Sequence, residues 1–133
     1  MKKVTTIILI SLLFTLTYCK GQNHTDENNL KQGHWVILYK DAKRKPPGYK
    51  PDQVVEEGDY IDNKRAGVWK GYHPNGKIQY EITYTDGKPE GYAKFYYKNG
   101  NIAEEGMWYI NRWTGKYKYY SEQGELLQER DSL

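Results

Sequence analysis

"GVWKGYHPNGKIQYEITYTDGKPE", residues 67–90, is followed by "GYAKFYYKNGNIAEEGMWYINRWT", residues 91–114, and then by "GKYKYYSEQGELLQER" from Gly115. The lines begin at a constant interval, and several residue types recur in register with this 24-residue period. The recurring columns are Gly67, Gly91 and Gly115; Lys70, Lys94 and Lys118; Tyr72, Tyr96 and Tyr120; Gly76, Gly100 and Gly124; and Glu81, Glu105 and Glu129. Self-similarity at a fixed period of this length indicates a repeat architecture.

Each repeat unit is typical of two β-strands. An aromatic and β-branched stretch follows the leading glycine, then Asn75-Gly76 or Asn99-Gly100 predicts a hairpin with a type I′ turn. Further turns are predicted at Asp86-Gly87 and Gln123-Gly124. We therefore expect an all-β fold, a single antiparallel β-meander of about six or seven strands built from repeated hairpins.

Alternation along the first strands divides their side chains between two faces. Trp69, Ala93 and Tyr117 share one face with Gly71, Phe95 and Tyr119. The other face carries the lysine and tyrosine columns, and the glutamate column can neutralise the lysines across the strands. Lysine is rarely buried without a partner, so the first face is predicted to be the core. Sheet curvature, a loop or a partner would have to cover it.

The N-terminus is typical of a secretory signal, predicted over residues 1–18. Lys2 and Lys3 precede an apolar run from Val4 to Leu16, which is too short to span a bilayer. "LTYC", residues 16–19, resembles a bacterial lipobox, so we expect lipidation of Cys19 and a membrane-anchored envelope lipoprotein. Ordinary cleavage after Gly21, which would give a secreted or periplasmic protein, is the alternative.

Two segments lie outside the repeat rule. Residues 19–32 are predicted as the anchor site and a flexible tether, and residues 33–133 as the repeat domain, with a degenerate unit near 33–66. "KDAKRKPPGYK", residues 40–50, is an additional basic loop. Without Lys2 and Lys3, the 20 Lys and Arg of the chain become 18 against 17 Asp and Glu. This balance argues against nucleic-acid binding.

The pattern "GxWxxYYxNGxl…E…Y…GkxxG", from about residue 54 to 133, resembles the MORN repeat variant, as in the YwqK-type family whose members are often labelled antitoxins. The resemblance implies an elongated, twisted β-meander that serves as a binding or scaffolding surface. It also implies, as an alternative function, an antitoxin or immunity-type inhibitor of a toxin partner. An intracellular antitoxin should not carry a signal peptide.

No arrangement of residues predicts catalysis, a cofactor or a metal site. His24, His34 and His73 are scattered, and the single cysteine is expected to be the anchor. Repeated glutamates are better explained by the repeat unit than as a carboxylate pair of a wall-glycan hydrolase. The chain is therefore interpreted as a non-catalytic module that binds an envelope protein or glycan.

Specific binding is expected where a unit departs from the repeat. The basic loop supplies Lys43, Arg44, Lys45 and Tyr49 as candidates. Arg112 and Trp113 replace Lys88 and Pro89 and are expected to place a bulky ring on an inter-unit turn. Gly71 and Ala93 leave gaps beside Trp69 and Phe95 that predict either a shallow pocket or compensated packing.

Overall fold

A computed structural model describes residues 22–131 as one sheet of nine antiparallel strands, each hydrogen-bonded to the next strand in sequence. The strands are β1 (His24–Thr25), β2 (Lys31–Leu38), β3 (Val54–Ile61), β4 (Lys64–Tyr72), β5 (Ile78–Thr85), β6 (Lys88–Tyr96), β7 (Ile102–Tyr109), β8 (Arg112–Tyr120) and β9 (Leu126–Arg130). The predicted all-β meander is confirmed, with more strands than expected.

Helical structure in the described residues is limited to one 3₁₀ turn, Tyr39–Asp41, which opens the loop between β2 and β3. No helix in residues 22–131 is long and apolar enough to cross a bilayer. The predicted signal peptide, Cys19 and the alternative cleavage point at Gly21 lie outside the described residues.

The segment predicted as a tether carries structure within residues 22–32. Strand β1 pairs with β2 through His24 and Gln32, and a turn between them is held by Asp26. The Asp26 carboxylate accepts hydrogen bonds from the backbone N–H groups of Asn28 and Leu30 at 2.9 and 3.0 Å. Local hydrogen bonds of this kind order a short polar segment that has no hydrophobic periodicity.

Tight two-residue turns of type I′ occur at one end of the hairpins. At the predicted turn Asp86-Gly87 both residues have positive φ, +50° and +80°. The same conformation recurs one repeat period earlier at Asp62-Asn63 and one period later at Ile110-Asn111. The β-branched Ile110, with φ +40°, therefore occupies a conformation that strongly disfavours such side chains.

At the opposite end, the predicted type I′ turns at Asn75-Gly76 and Asn99-Gly100 are wrong. Only the glycines have positive φ there, so a longer loop replaces the two-residue turn. In the first of these loops the N–H of Gly76 donates to the carbonyl of His73 and the N–H of His73 donates to the carbonyl of Lys77, both at 2.8 Å. This is a type I turn closed by a left-handed glycine. Pro74 suits its first central position because the proline ring restricts φ to the value that this position requires.

One face of the sheet is a thin aromatic core. The predicted column is buried, with Trp69 0 % exposed, Ala93 1 % and Tyr117 8 %. The indole of Trp69 lies flat over Gly58 of the neighbouring strand, where a Cβ atom would stand 2.5 Å from the ring. A single layer of side chains can therefore bury a tryptophan, because a glycine beneath it allows the ring to reach the backbone.

The cover of Trp69 is a cation rather than the basic loop. The guanidinium of Arg65 stands 4.0 Å from the ring centroid of Trp69, and Tyr60 and Tyr84 flank the ring edge-on. The indole N–H donates to the carbonyl of Asp59 at 2.9 Å. Arginine and tyrosine present apolar surface to the ring and polar ends to water, so a sheet without a second layer can still exclude solvent here.

The opposite face is the predicted polar one. In register across the strands, Glu57, Lys70, Glu81, Lys94, Glu105, Lys118 and Glu129 alternate in charge. The ion pairs Lys70–Glu81 and Lys118–Glu129 are 3.9 and 3.4 Å long. We call this row the charge ladder. Each partly exposed cross-strand pair in such a row contributes only about 0.2–1 kcal/mol, so the ladder sets register more than stability.

Candidate binding surface

The basic loop between β2 and β3 is closed at its base and is tied to the loop between β4 and β5. The N–H of Tyr39 donates to the carbonyl of Gln53 at 2.8 Å, and the Gln53 amide donates to the carbonyl of Pro74 at 2.8 Å. The rings of Tyr39 and Tyr49 stack with centroids 5.5 Å apart. The ammonium of Lys45 donates hydrogen bonds to the carbonyls of Tyr39 and Lys40, so it links two parts of the same loop.

Tyr49, a predicted binding residue, has a hydroxyl that is engaged inside the fold. It donates to the carbonyl of Tyr72 at 2.6 Å. At the spacing of the repeat, His73 contacts the carbonyl of Tyr96 at 2.9 Å, and Tyr97 donates to the carbonyl of Tyr120 at 2.7 Å. Tyr49 is thus the first member of a repeated structural column, and burial raises the pKa of its phenol. Tyr49 precedes His73 by one repeat period in the sequence, so the period itself indicates this structural role of Tyr49.

A groove of about 1270 Å³ separates the basic loop from the β2–β5 part of the aromatic face. Residues of the loop and of the sheet both line this space, which we call the groove, and we refer to them as its loop wall and its sheet wall. Its loop wall includes Lys43, Arg44, Lys45, Pro46 and Tyr49, and its sheet wall includes Lys31, Trp35, Glu56, Tyr60, Arg65 and Tyr80. The structure therefore brings the four predicted loop residues to one concave surface beside residues that sequence reasoning missed.

Arg65 and Glu56 form a partly buried ion pair in the lining of the groove, and we call this pair the floor. Arg65 donates to the Glu56 carboxylate at 2.6 Å, and the Tyr80 hydroxyl donates to the same carboxylate. Burial opposes the charge of Arg65, but the hydrogen bond and attraction of Glu56 outweigh it and raise the pKa of the guanidinium. Burial and the nearby Glu56 likewise raise the pKa of Tyr80. At neutral pH Arg65 therefore stays charged and Tyr80 stays neutral. The positive charge of Arg65 compensates the negative charge of Glu56.

The remaining groove cations are not neutralised in the same way. Lys43 and Arg44 are exposed on the loop wall. On the sheet wall, the ammonium of Lys31 stands 4.4 Å from the ring centroid of Trp35 and 4.9 Å from that of Tyr60. Asp41 is a nearby acidic residue in the lining. The groove therefore offers aromatic surface rimmed by an excess of positive charge, which favours a partner with flat apolar parts and carboxylates.

Arg112 and Trp113 lie away from the groove, and the predicted placement of Trp113 on a turn is wrong. Both residues belong to β8, because the turn is made by Ile110-Asn111. The Trp113 ring packs against Trp108 and Tyr117 at centroid distances of 4.8 and 4.9 Å, and its N–H donates to Glu104 at 2.8 Å. It is a half-buried member of a second aromatic cluster.

The expected gap at Gly71 is filled. A Cβ atom on Gly71 would stand 2.2 Å from the ring of Tyr80, so the ring already occupies that space. Of the two predicted alternatives, a shallow pocket or compensated packing, the structure shows compensated packing at Gly71. This arrangement repeats the relation between Gly58 and Trp69, one strand further along.

The repeated glutamates serve the charge ladder. The hydroxyl of Tyr96 donates to Glu81 and that of Tyr120 donates to Glu105, each at 2.7 Å. Among residues 22–131 no group of three or more His, Cys, Asp and Glu side chains is placed to hold a metal ion. The carboxylates thus have structural partners that account for their recurrence.

The sequence matches the MORN repeat variant over residues 65–86 and 89–108. The chain is similar to that family across β4 to β7, and no curated protein matches it. Repeats of this family are generally non-catalytic modules that take part in binding.

The match covers only part of the described chain. The basic loop precedes the first matched residue, and β8 and β9 follow the last one. The MORN-like units thus supply a regular scaffold, and the groove combines that scaffold with an inserted loop. Loops inserted into a regular scaffold often carry the binding residues of a protein.

Proposed function

We propose that this chain is a non-catalytic, envelope-anchored MORN-like module that holds an envelope protein or glycan in the groove. The observation that carries the proposal is the groove itself, whose lining combines exposed Lys43 and Arg44 with aromatic residues of the sheet wall. The signal-like N-terminus and Cys19 support export and anchoring. Similarity to a family of binding repeats supports the absence of a reaction.

The floor of the groove supports binding by preorganisation. The side chains of Arg65 and Glu56 are only 24 % and 25 % exposed and hold one another in place, and Tyr80 closes the pair. A partner therefore meets a wall whose side chains are already ordered, which lowers the entropy lost on association. The loop wall is tied down by Tyr49 and Gln53, so its cations are presented from a fixed backbone.

The test compares two charge-neutralised variants in capture from the native envelope fraction. Lys43→Gln with Arg44→Gln removes the groove cations and leaves Lys45, which holds the loop together. Lys98→Gln with Lys116→Gln removes two exposed lysines that do not line the groove and serves as the matched control. We expect the first pair to lose at least tenfold in captured material at physiological salt, and the control pair to match the wild type.

Two results would overturn the proposal. Equal capture by both pairs would show that the groove cations do not contact the partner. A large fall in melting temperature of the groove pair would show that these residues stabilise the fold instead, since exposed substitutions normally change stability by less than about 0.5 kcal/mol. Capture of a secreted toxin, with neutralisation of its activity, would favour the immunity function. Labelling with a fatty-acid analogue, positive for the wild type and negative for Cys19→Ser, tests the anchor separately.

A further inference from the structure

On the polar face, three glutamates of the charge ladder make the same hydrogen bond with a tyrosine of the next strand. Glu57, Glu81 and Glu105 each accept a hydrogen bond from a tyrosine fifteen residues later, Tyr72, Tyr96 and Tyr120. That tyrosine always lies two residues after the lysine that stands opposite the glutamate. Each of these three glutamates is therefore bound by a strand with a Lys-X-Tyr motif, in which the lysine stands opposite the carboxylate and the tyrosine donates a hydrogen bond to it.

Glu129 is the fourth glutamate of this column and its set of partners is incomplete. It pairs with Lys118 of the preceding strand at 3.4 Å, but within residues 22–131 no strand follows β9 to supply the second lysine and the tyrosine. Its side chain is 48 % exposed. Leu126 and Leu127, in the same strand, are 50 % and 56 % exposed, whereas Ile78 and Ile102, which occupy the Leu126 column, are partly buried.

The other edge of the sheet is closed. The side-chain amide of Asn23 donates to the carbonyl of Val36 at 3.0 Å and accepts from the N–H of Val36 at 2.7 Å, as a neighbouring strand would. Strand β1 continues this cover along β2. Natural sheets block edges that are not used for pairing. The two edges therefore differ, and in the described chain the one at β9 is left with its backbone and two leucines accessible.

We propose that the outer edge of β9 is a docking site for an extended segment of a partner protein that carries a Lys-X-Tyr motif and adds as a tenth, antiparallel strand. The lysine would stand opposite Glu129, and the tyrosine hydroxyl would donate to the same carboxylate. Main-chain hydrogen bonds supply affinity in such strand addition, and the side chains set the register. This site is independent of the groove and of the function proposed for it.

The test uses synthetic peptides and the full-length chain. The probe is a peptide with the sequence of residues 88–96, KPEGYAKFY, which contains Lys94 and Tyr96. The matched control peptide carries glutamate in place of that lysine and phenylalanine in place of that tyrosine. We expect the probe to bind at least tenfold more tightly than the control, with new hydrogen-exchange protection confined to Leu126–Arg130.

Reversing the charge of Glu129 distinguishes specific binding at the β9 edge from nonspecific binding of the peptide. Glu129→Lys is expected to reverse the preference between the two peptides, while circular dichroism shows an unchanged fold. Lys43→Gln with Arg44→Gln is expected to bind the probe like the wild type, so failure here and failure of the groove proposal are distinguishable. Equal affinity for both peptides, or protection elsewhere than β9, would overturn the inference. So would dimerisation of the chain through β9, because a second copy would then be the occupant.

Discussion

Gly58→Ala is the most direct test of how this sheet buries a tryptophan without a second layer. The added Cβ would stand 2.5 Å from two ring atoms of Trp69, and Gly58 does not have a positive φ, so the cost is steric. Ordinary contact requires a separation of about 3.4 Å or more, so the ring has to retreat by about 1 Å. That shift would weaken the cover by Arg65 and the hydrogen bond from the indole to the carbonyl of Asp59.

The expected loss follows from these two effects. Overpacking of a well-filled site costs about 1–3 kcal/mol, and a weakened hydrogen bond adds about 0.5–1.5 kcal/mol. We therefore expect the free energy of unfolding to fall by about 2–4 kcal/mol in urea denaturation followed by tryptophan fluorescence and circular dichroism. Gly76→Ala is the matched control, because its Cβ meets nothing within 4 Å and its cost comes only from a φ of +83°.

A double-mutant cycle isolates the ring as the cause. In a Trp69→Ala background the same Gly58→Ala change should cost less than about 0.5 kcal/mol, since the atoms it would strike are gone. If Gly58→Ala is as costly without the indole as with it, or is harmless in the wild type, the proposed stacking of Trp69 on the backbone is refuted.

Three further substitutions examine other parts of the fold. Ile110→Asp should stabilise the protein by about 1 kcal/mol in thermal denaturation, because aspartate tolerates positive φ better than isoleucine. Aspartate occupies the equivalent turn position at Asp62 and Asp86. The control Val68→Asp, at an exposed strand position, should not stabilise the protein. Trp113→Ala should lower the unfolding free energy by about 2–3 kcal/mol, since the ring is half-buried, and an unchanged melting temperature would contradict its place in the aromatic cluster. Burial and Glu57 raise the pKa of Tyr72 to about 12, and a hydrogen bond to Glu105 raises that of Tyr120 to about 12, from 10.0. Because the raised pKa favours the neutral phenol in the folded state, their contribution is complete below pH 10 and is lost between pH 10 and 12; chemical denaturation of Tyr72→Phe with Tyr120→Phe should show a flatter stability profile over that interval.

The repeat columns were sufficient to predict the topology and the core column. A 24-residue period with alternating faces correctly placed Trp69, Ala93 and Tyr117 inside and the lysines outside. Turn geometry was harder to predict, because Asn-Gly also suits a longer loop, which forms after Pro74 at Asn75-Gly76 and after Lys98 at Asn99-Gly100. The turn at Ile110-Asn111 contains no glycine, and it was detectable only through its offset of one repeat period from Asp86-Gly87.

The candidate site was predicted only in part, for a different reason. Lys43, Arg44 and Lys45 were recognisable because a charged insertion breaks the period. Arg65 and Glu56 were not, since each lies in a column whose residues vary between units and their contact joins two strands. Their contact depends on the register of β3 against β4, in which Glu56 stands opposite Gly71 and Arg65 stands opposite Tyr60.

The single-layer architecture gives the same residues a place in the core and in the groove that we propose as the binding site. In a two-layer domain a second sheet or helix would cover the rings, and binding residues could vary without affecting the core. Here Arg65 covers Trp69 on one side and lines the groove on the other, while Glu56 holds it in place. A partner that displaced Arg65 would uncover the tryptophan, so a ligand is constrained to add to this pair rather than replace it. Binding in the groove should therefore extend the cover of the core and raise the melting temperature of the whole sheet.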